Sequence, residues 1–274
     1  MTGFDDAFHK FERGEKHLVE FYKNVIGNLK KDKVRFKIST KAYRKPDTDS
    51  RKYWKIYTLY VAYVPVIAIE DCILLGEVIQ SFRSSLDYLA WALVAKYCKR
   101  VLTEREKRGV QFPMSPNRSH FRRNVGKMLV DVPSRQWAFF EQYQPYKRSL
   151  NGKAVRFLQA LSNTDKHRII VPAMLAPEYS KGNISYGGGD IVKTTFHLKE
   201  SRSVRAGAKI VTILLAGDVP KQYVHMDTNL SVIPAFPTSV LKFSKSQPTV
   251  LIEPSLQMIR NACFEVLTRA KKFF

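Results

Sequence analysis

Cysteine is scarce in this sequence, and the little there is lies far apart. Cys72, Cys98 and Cys263 are odd in number, and no two have metal-ligand spacing. That argues against a disulfide framework or a zinc-stapled fold. A long apolar run is missing too. The longest, Thr58 to Ile69, contains Pro65 and stops at Glu70-Asp71, short of the roughly 20 residues a membrane-spanning helix needs. The N-terminus, Met1-Thr2-Gly3-Phe4-Asp5-Asp6, is polar and acidic, unlike a secretory leader. Together these absences lead to the expectation of a soluble, cytoplasmic protein. We also expect no cofactor and no metal.

Acidic residues are in short supply: 24 against 46 basic ones, a formal charge of +22. The excess is +7 in residues 1–100, +6 in 101–150 and +9 in 151–274, so it belongs to the folded surface and not to a tail. Self-repulsion at that charge opposes compactness, so a use for it is expected, and the usual partners are nucleic acid or an anionic membrane. RNA or DNA is the expected partner; the bland alternative is a charge that only keeps the chain in solution. An apolar fraction of 45% with 12% aromatics can support a real core, which excludes a disordered chain.

Residues 4–31 read as a helix, with Phe4, Phe8, Phe11, Leu18, Phe21, Val25 and Leu29 recurring mostly at three or four. Lys33 to Tyr43 alternates as a strand with one wet, basic face. Tyr53 to Val64, rich in aromatic and β-branched residues, should pair with it. Lys45 to Ser50 between them is turn-like. The strongest helix spans 70–99, where Cys72, Leu75, Ile79, Phe82, Leu86, Leu89, Leu93 and Tyr97 keep the period. The segment 103–119 is charged and turn-rich; shorter helices are expected over 118–130, 134–142 and 152–162. Strands follow at 169–175, 183–186, 191–198, 209–215 and 232–243, separated by glycine turns that imply an antiparallel sheet. Pro254 opens a closing helix.

Two polar signatures stand out from these apolar surroundings. Gln80, Arg83 and Asp87 form a stripe on the long helix, with Arg83 and Asp87 four apart and on one face. Three readings stay open for them: a surface ion pair, a buried structural arginine held by several acceptors, or an arginine aimed at phosphate. Asn163, Asp165, Lys166, His167 and Arg168 lie where a helix hands over to a strand. Asn163 suits a helix end and Asp165 a turn. His167 could move a proton near neutral pH, but strand alternation would turn it away from Lys166 and Arg168. Arg118, Arg122, Arg123 and Lys127 make the densest basic helix end, either a solvated face or a set of phosphate contacts. Tyr53, Trp54, Tyr57, Tyr60 and Tyr63 suggest a stacking platform for bases, though alternation buries about half of such a strand. Gly187-Gly188-Gly189-Asp190 lacks a following Lys-Ser/Thr and reads as a hairpin turn.

At these signatures the chain resembles a group of uncharacterised bacterial proteins. The residues that carry the resemblance are Arg13-Gly14-Glu15-Lys16-His17-Leu18, Ser81-Phe82-Arg83-Ser84-Ser85-Leu86-Asp87-Tyr88, Gln144-Pro145-Tyr146 and Asp165-Lys166-His167-Arg168, with an aromatic end at Phe273-Phe274. More distantly it is similar to the HEPN superfamily, helical proteins that include many RNases with an Arg followed four to six residues later by a His. That similarity implies proton transfer by the His and charge stabilisation by the Arg. The chain departs from the pattern, because Tyr88 stands at the His position, and a Tyr with a pKa near 10 is a poor base at neutral pH.

The sequence therefore predicts one α+β domain over 1–274. Its helical part would cover about 1–165, its sheet-rich part about 166–250, and its closing helix 254–272. The long central helix 70–99 and the C-terminal helix would pack with an antiparallel sheet. The leading functional expectation is non-catalytic binding of nucleic acid. The alternatives are an HEPN-like ribonuclease using Arg83, Asp87 and His167, and a scaffold whose polar cluster is internal glue.

Overall fold

The helix α1 (Gly3–Lys31) buries Phe4, Ala7, Phe11, Gly14, Leu18, Phe21 and Val25. This unbroken alternation of three- and four-residue steps keeps one stripe against a neighbouring helix. The neighbour is α2 (Ile69–Tyr97), which packs along α1 and is buried on most sides. Gly14 permits the close approach: a Cβ there would come within 2.9 Å of the Phe82 ring.

The computed structural model describes residues 3–43, 54–166, 173–186, 190–197, 204–216, 220–237 and 249–274. Between α1 and α2 lie β1 (Arg35–Tyr43) and β2 (Trp54–Tyr63). After α2 come α3 (Glu104–Gly109), α4 (Arg118–Met128), a 3₁₀ turn Ser134–Gln136, α5 (Trp137–Glu141) and α6 (Leu150–Lys166). The strands β3 (Met174–Tyr186), β4 (Asp190–Phe196), β5 (Lys209–Ala216), β6 (Val224–Pro237) and β7 (Thr249–Leu251) follow, and α7 (Ile252–Ala270) closes the series. The fold is α+β, with a long helix, a C-terminal helix and antiparallel pairing throughout the described strands. Among the described residues no helix is long and apolar enough to cross a membrane.

The strands form two sheets, ordered β1-β2-β5-β4 and β3-β6-β7. The expected pairing of the first two strands is present, with Ile38 opposite Leu59. The expected hairpin across Gly187–Asp190 is not: β3 pairs with β6, and β4 pairs with β5. Length explains the choice. At 13 residues β3 finds a matching ladder in the 14 residues of β6, while β4 has only 7. Gly187 to Gly189 themselves lie outside the described residues, as do Lys45 to Ser50 and Tyr53.

Two apolar clusters result. The larger joins α1, α2, α6 and α7 with the segments around α4 and α5. The smaller lies on the four-stranded sheet, where Tyr57, Leu59, Val61, Ile213 and Leu215 meet Val224 and Met226 at the start of β6. Further along the same strand Phe236 enters the helical cluster, so β6 links the two. The aromatic strand β2 is mainly structural: Tyr57 is fully buried, while Tyr63 stacks under the Arg35 guanidinium at 4.2 Å and donates its hydroxyl to Asp32.

Candidate functional site

Gln111-Phe112-Pro113-Met114-Ser115 runs between α3 and α4 with no helix or strand of its own, and Phe112 to Ser115 are buried. Pro113 keeps the segment extended. Its buried backbone groups must therefore find partners elsewhere. They find side chains. Asp87 Oδ1 accepts the Phe112 N–H at 2.9 Å. Gln144 Oε1 accepts the Ser115 N–H at 2.9 Å, while its Nε2 donates to Pro113 O at 2.8 Å and to Phe140 O at 3.0 Å. Gln159 Nε2 donates to Met114 O at 3.0 Å.

Arg83 completes this clamp. Its Nε donates to Asp87 Oδ2 at 3.0 Å, its Nη1 to the Met114 sulfur, and its Nη2 to Gln111 Oε1 and Phe112 O, both at 3.4 Å. The Arg83 side chain is 7% exposed and that of Asp87 28%. Of the three sequence readings, the geometry is that of a buried structural arginine with several acceptors. The five-residue step to Tyr88 turns that side chain by about 140° around the helix, and Tyr88, 40% exposed, faces Lys10 of α1.

Gln80 and Asn163 do not join Arg83 among the described residues. Gln80 is half-buried, and its Oε1 is buried without a hydrogen-bond partner. Asn163 does not end a helix: it is exposed inside α6, which continues to Lys166, and Thr164 bonds back to Ala160 O at 3.1 Å. The helix continues because a solvated Asn costs it only a few tenths of a kcal/mol, roughly. Asp165 and Lys166 are therefore helical rather than turn and strand. His167 and Arg168 lie outside the described residues. His17 of α1 accepts from Arg13 Nε at 3.2 Å and lies 3.6 Å from Glu77.

The basic helix α4 has a simple layout. Asn117 caps it by accepting the His120 N–H at 2.8 Å. Phe121 and Val125 anchor its inner side, while Arg118, Arg122, Arg123 and Lys127 all lie on the exposed side. No acidic residue occurs in the helix. Arg118 pairs with Glu141 at 3.0 Å, and the other three have no ion pair among the described residues.

Sequence reasoning gave no role to Gln111 and Gln159, and met Gln144 only within Gln144-Pro145-Tyr146. The usable signal was a glutamine beside a proline within an aromatic stretch, as in Gln144-Pro145-Tyr146, where a polar side chain with no exposure must be bonding backbone. Among the described residues no group of His, Cys, Asp and Glu could hold a metal ion. Comparison with family models, with curated proteins and with solved structures yields no match to this chain.

Proposed function

We propose that this protein binds nucleic acid without cutting it, with the exposed face of α4 as its main contact. The observation that carries the reading is the layout of that helix: four basic residues on the solvent side, no acid in the helix, and three guanidinium or ammonium groups without an acidic partner among the described residues. Such a face neutralises phosphates by displacing their counterions, and the +22 of the whole chain draws a polyanion toward it. Three free thiols suit a reducing cytoplasm.

The ribonuclease alternative would need the Arg83 guanidinium to meet a phosphorane. Its donors are already directed to Asp87, Gln111, Phe112 and Met114, which weighs against that use. The internal-glue reading of Arg83 and Asp87 is favoured by the same bonds, and it is compatible with binding at α4.

Filter binding of single-stranded RNA and duplex DNA at rising salt tests the proposal. The expected result is a steep log–log dependence, with a slope lowered by about 2 in the triple variant Arg122→Ala/Arg123→Ala/Lys127→Ala. No binding at low salt, or a triple variant indistinguishable from wild type, would sink it. Incubation with total RNA should show no cleavage by the wild type.

A further inference from the structure

We propose that a second site, between the C-terminal end of α2, the turn Ser134–Gln136 and the 3₁₀ turn Lys271–Phe273, takes the terminal phosphate monoester of a nucleic-acid strand. The inference rests on the nucleic-acid reading above and names a chemically distinct contact for the same partner. The pocket has a volume of about 460 Å³, and no carboxylate side chain lines it. Lys96 enters it from α2, Arg135 from the first turn and Lys272 from the second.

Two of the three cations, Arg135 and Lys272, are not used up by the protein, while Lys96 is held at the main-chain oxygens of Phe273 and Phe274. Lys96 Nζ donates to Phe273 O at 2.7 Å and Phe274 O at 3.2 Å, which occupies two of its three N–H bonds. Lys272 Nζ lies 5.3 Å from the Phe273 ring centre and 6.0 Å from that of Phe139. Neither Lys272 nor Arg135 has an acidic partner among the described residues.

The atom that points to a ligand belongs to Gln136. This side chain lines the pocket and is 6% exposed. Its Nε2 donates to the Tyr97 hydroxyl at 2.5 Å, while its Oε1 is buried with no hydrogen-bond partner among the described residues. An orphaned buried polar atom is costly and calls for an explanation. A half-turn of the amide changes which atom is orphaned without removing the orphan. Tyr97 O–H then donates to Oε1, and Nε2 takes the orphan's place as an unused donor. Arg135, Lys272, the remaining N–H of Lys96 and one amide N–H suit an anion with several acceptor oxygens.

A phosphate monoester fits better than the diester inside a strand. It carries about two negative charges and three acceptor oxygens at neutral pH, whereas each internal phosphate carries one charge. A concave pocket also suits a chain end, while the exposed face of α4 suits a strand running past. Half-buried Tyr97 and Phe273, with exposed Phe274, offer ring surface to the adjoining nucleotide.

The test uses the full chain and a short single-stranded RNA in three forms: 5′-phosphorylated, 3′-phosphorylated and unphosphorylated, compared by fluorescence anisotropy at one salt concentration. One phosphorylated form should bind at least about tenfold tighter than the unphosphorylated one. The exposed-site variants Arg135→Ala and Lys272→Ala, and the near-isosteric Gln136→Glu, should erase that preference while leaving the unphosphorylated form bound. Equal binding of all three forms by the wild type overturns the pocket and leaves the nucleic-acid reading standing. If no form binds, the nucleic-acid reading fails, and thermal stabilisation by a nucleoside 5′-monophosphate decides the pocket. Stabilisation lost in Lys272→Ala then assigns the site to a free nucleotide, and none in the wild type removes it. Inorganic phosphate, run alongside, should stabilise less than the nucleotide; equal stabilisation rejects a nucleotide-end site.

Discussion

Arg83 donates to one partner on its own helix and to three on the segment Gln111–Ser115, so its removal orphans several groups at once. Breaking such a buried pair costs about 3 kcal/mol, and Arg83→Ala should lower the melting temperature by ~6–12 °C. Arg83→Lys should recover little of this, because an ammonium cannot serve a fork of acceptors. Calorimetry checks both, and nucleic-acid affinity should be unchanged in each. Arg100 makes a different kind of cluster, on the surface. Its Nη1 and Nη2 donate to Glu106 Oε2 and Oε1 at 3.0 and 2.6 Å. Those bonds first, and the Thr103 cap second, hold the Glu106 carboxyl down to about 2. A lowered folded-state pKa stabilises the fold above the ordinary carboxylate value and loses that effect as pH falls from about 4.5 to 2. Carboxyl NMR should find Glu106 near 2 in the wild type and higher in Arg100→Ala, still below its ordinary value because the Thr103 cap remains. The Arg83–Asp87 pair was legible from its four-residue spacing. Its target was not, because Phe112 contributes only its backbone N–H and C=O, which every residue but proline possesses.

Among the helices, α1 and α2 were readable almost to their ends because long apolar periods leave few alternatives. The period missed two members of the α1 stripe, Ala7 and Gly14, since small residues carry little hydrophobic signal; only the proximity of Phe82 shows why Gly14 is there. Gly152, near the start of α6, is tighter still. A Cβ there would lie 2.5 Å from Lys147 O and 2.9 Å from Gln144 O. The gain in helix propensity from Gly152→Ala is about 1 kcal/mol, but a backbone clash of that size costs about 1–3 kcal/mol or more. The clash should win, and the variant should unfold at lower denaturant with an unchanged m-value. It should also disturb Gln144, whose side chain holds Pro113 and Ser115. Strand pairing was the least legible part. Each strand in the set alternates well enough to pair with several others, and ladder length decided between β4 and β6 as the partner of β3.

Over the whole molecule, a charge of +22 must be held together against itself. Self-repulsion acts over the Debye length, which shrinks from about 30 Å to about 10 Å between ~0.01 and ~0.1 M salt. Thermal stability should therefore rise with salt over that range, while nucleic-acid affinity falls; a melting temperature that drops with salt would show that surface ion pairs dominate instead. Composition and periodicity by themselves determined the α+β class, the long helices, the absence of a long apolar run and the excess of positive charge, because these are sums or local patterns along the chain. The division of the strands into two sheets, the burial of Arg83 and Asp87 against Gln111–Ser115, and the exposure of Arg122, Arg123 and Lys127 were decided only by the tertiary structure. Each depends on which distant backbone or side-chain groups arrive at the same place, and spacing along the chain carries no record of that.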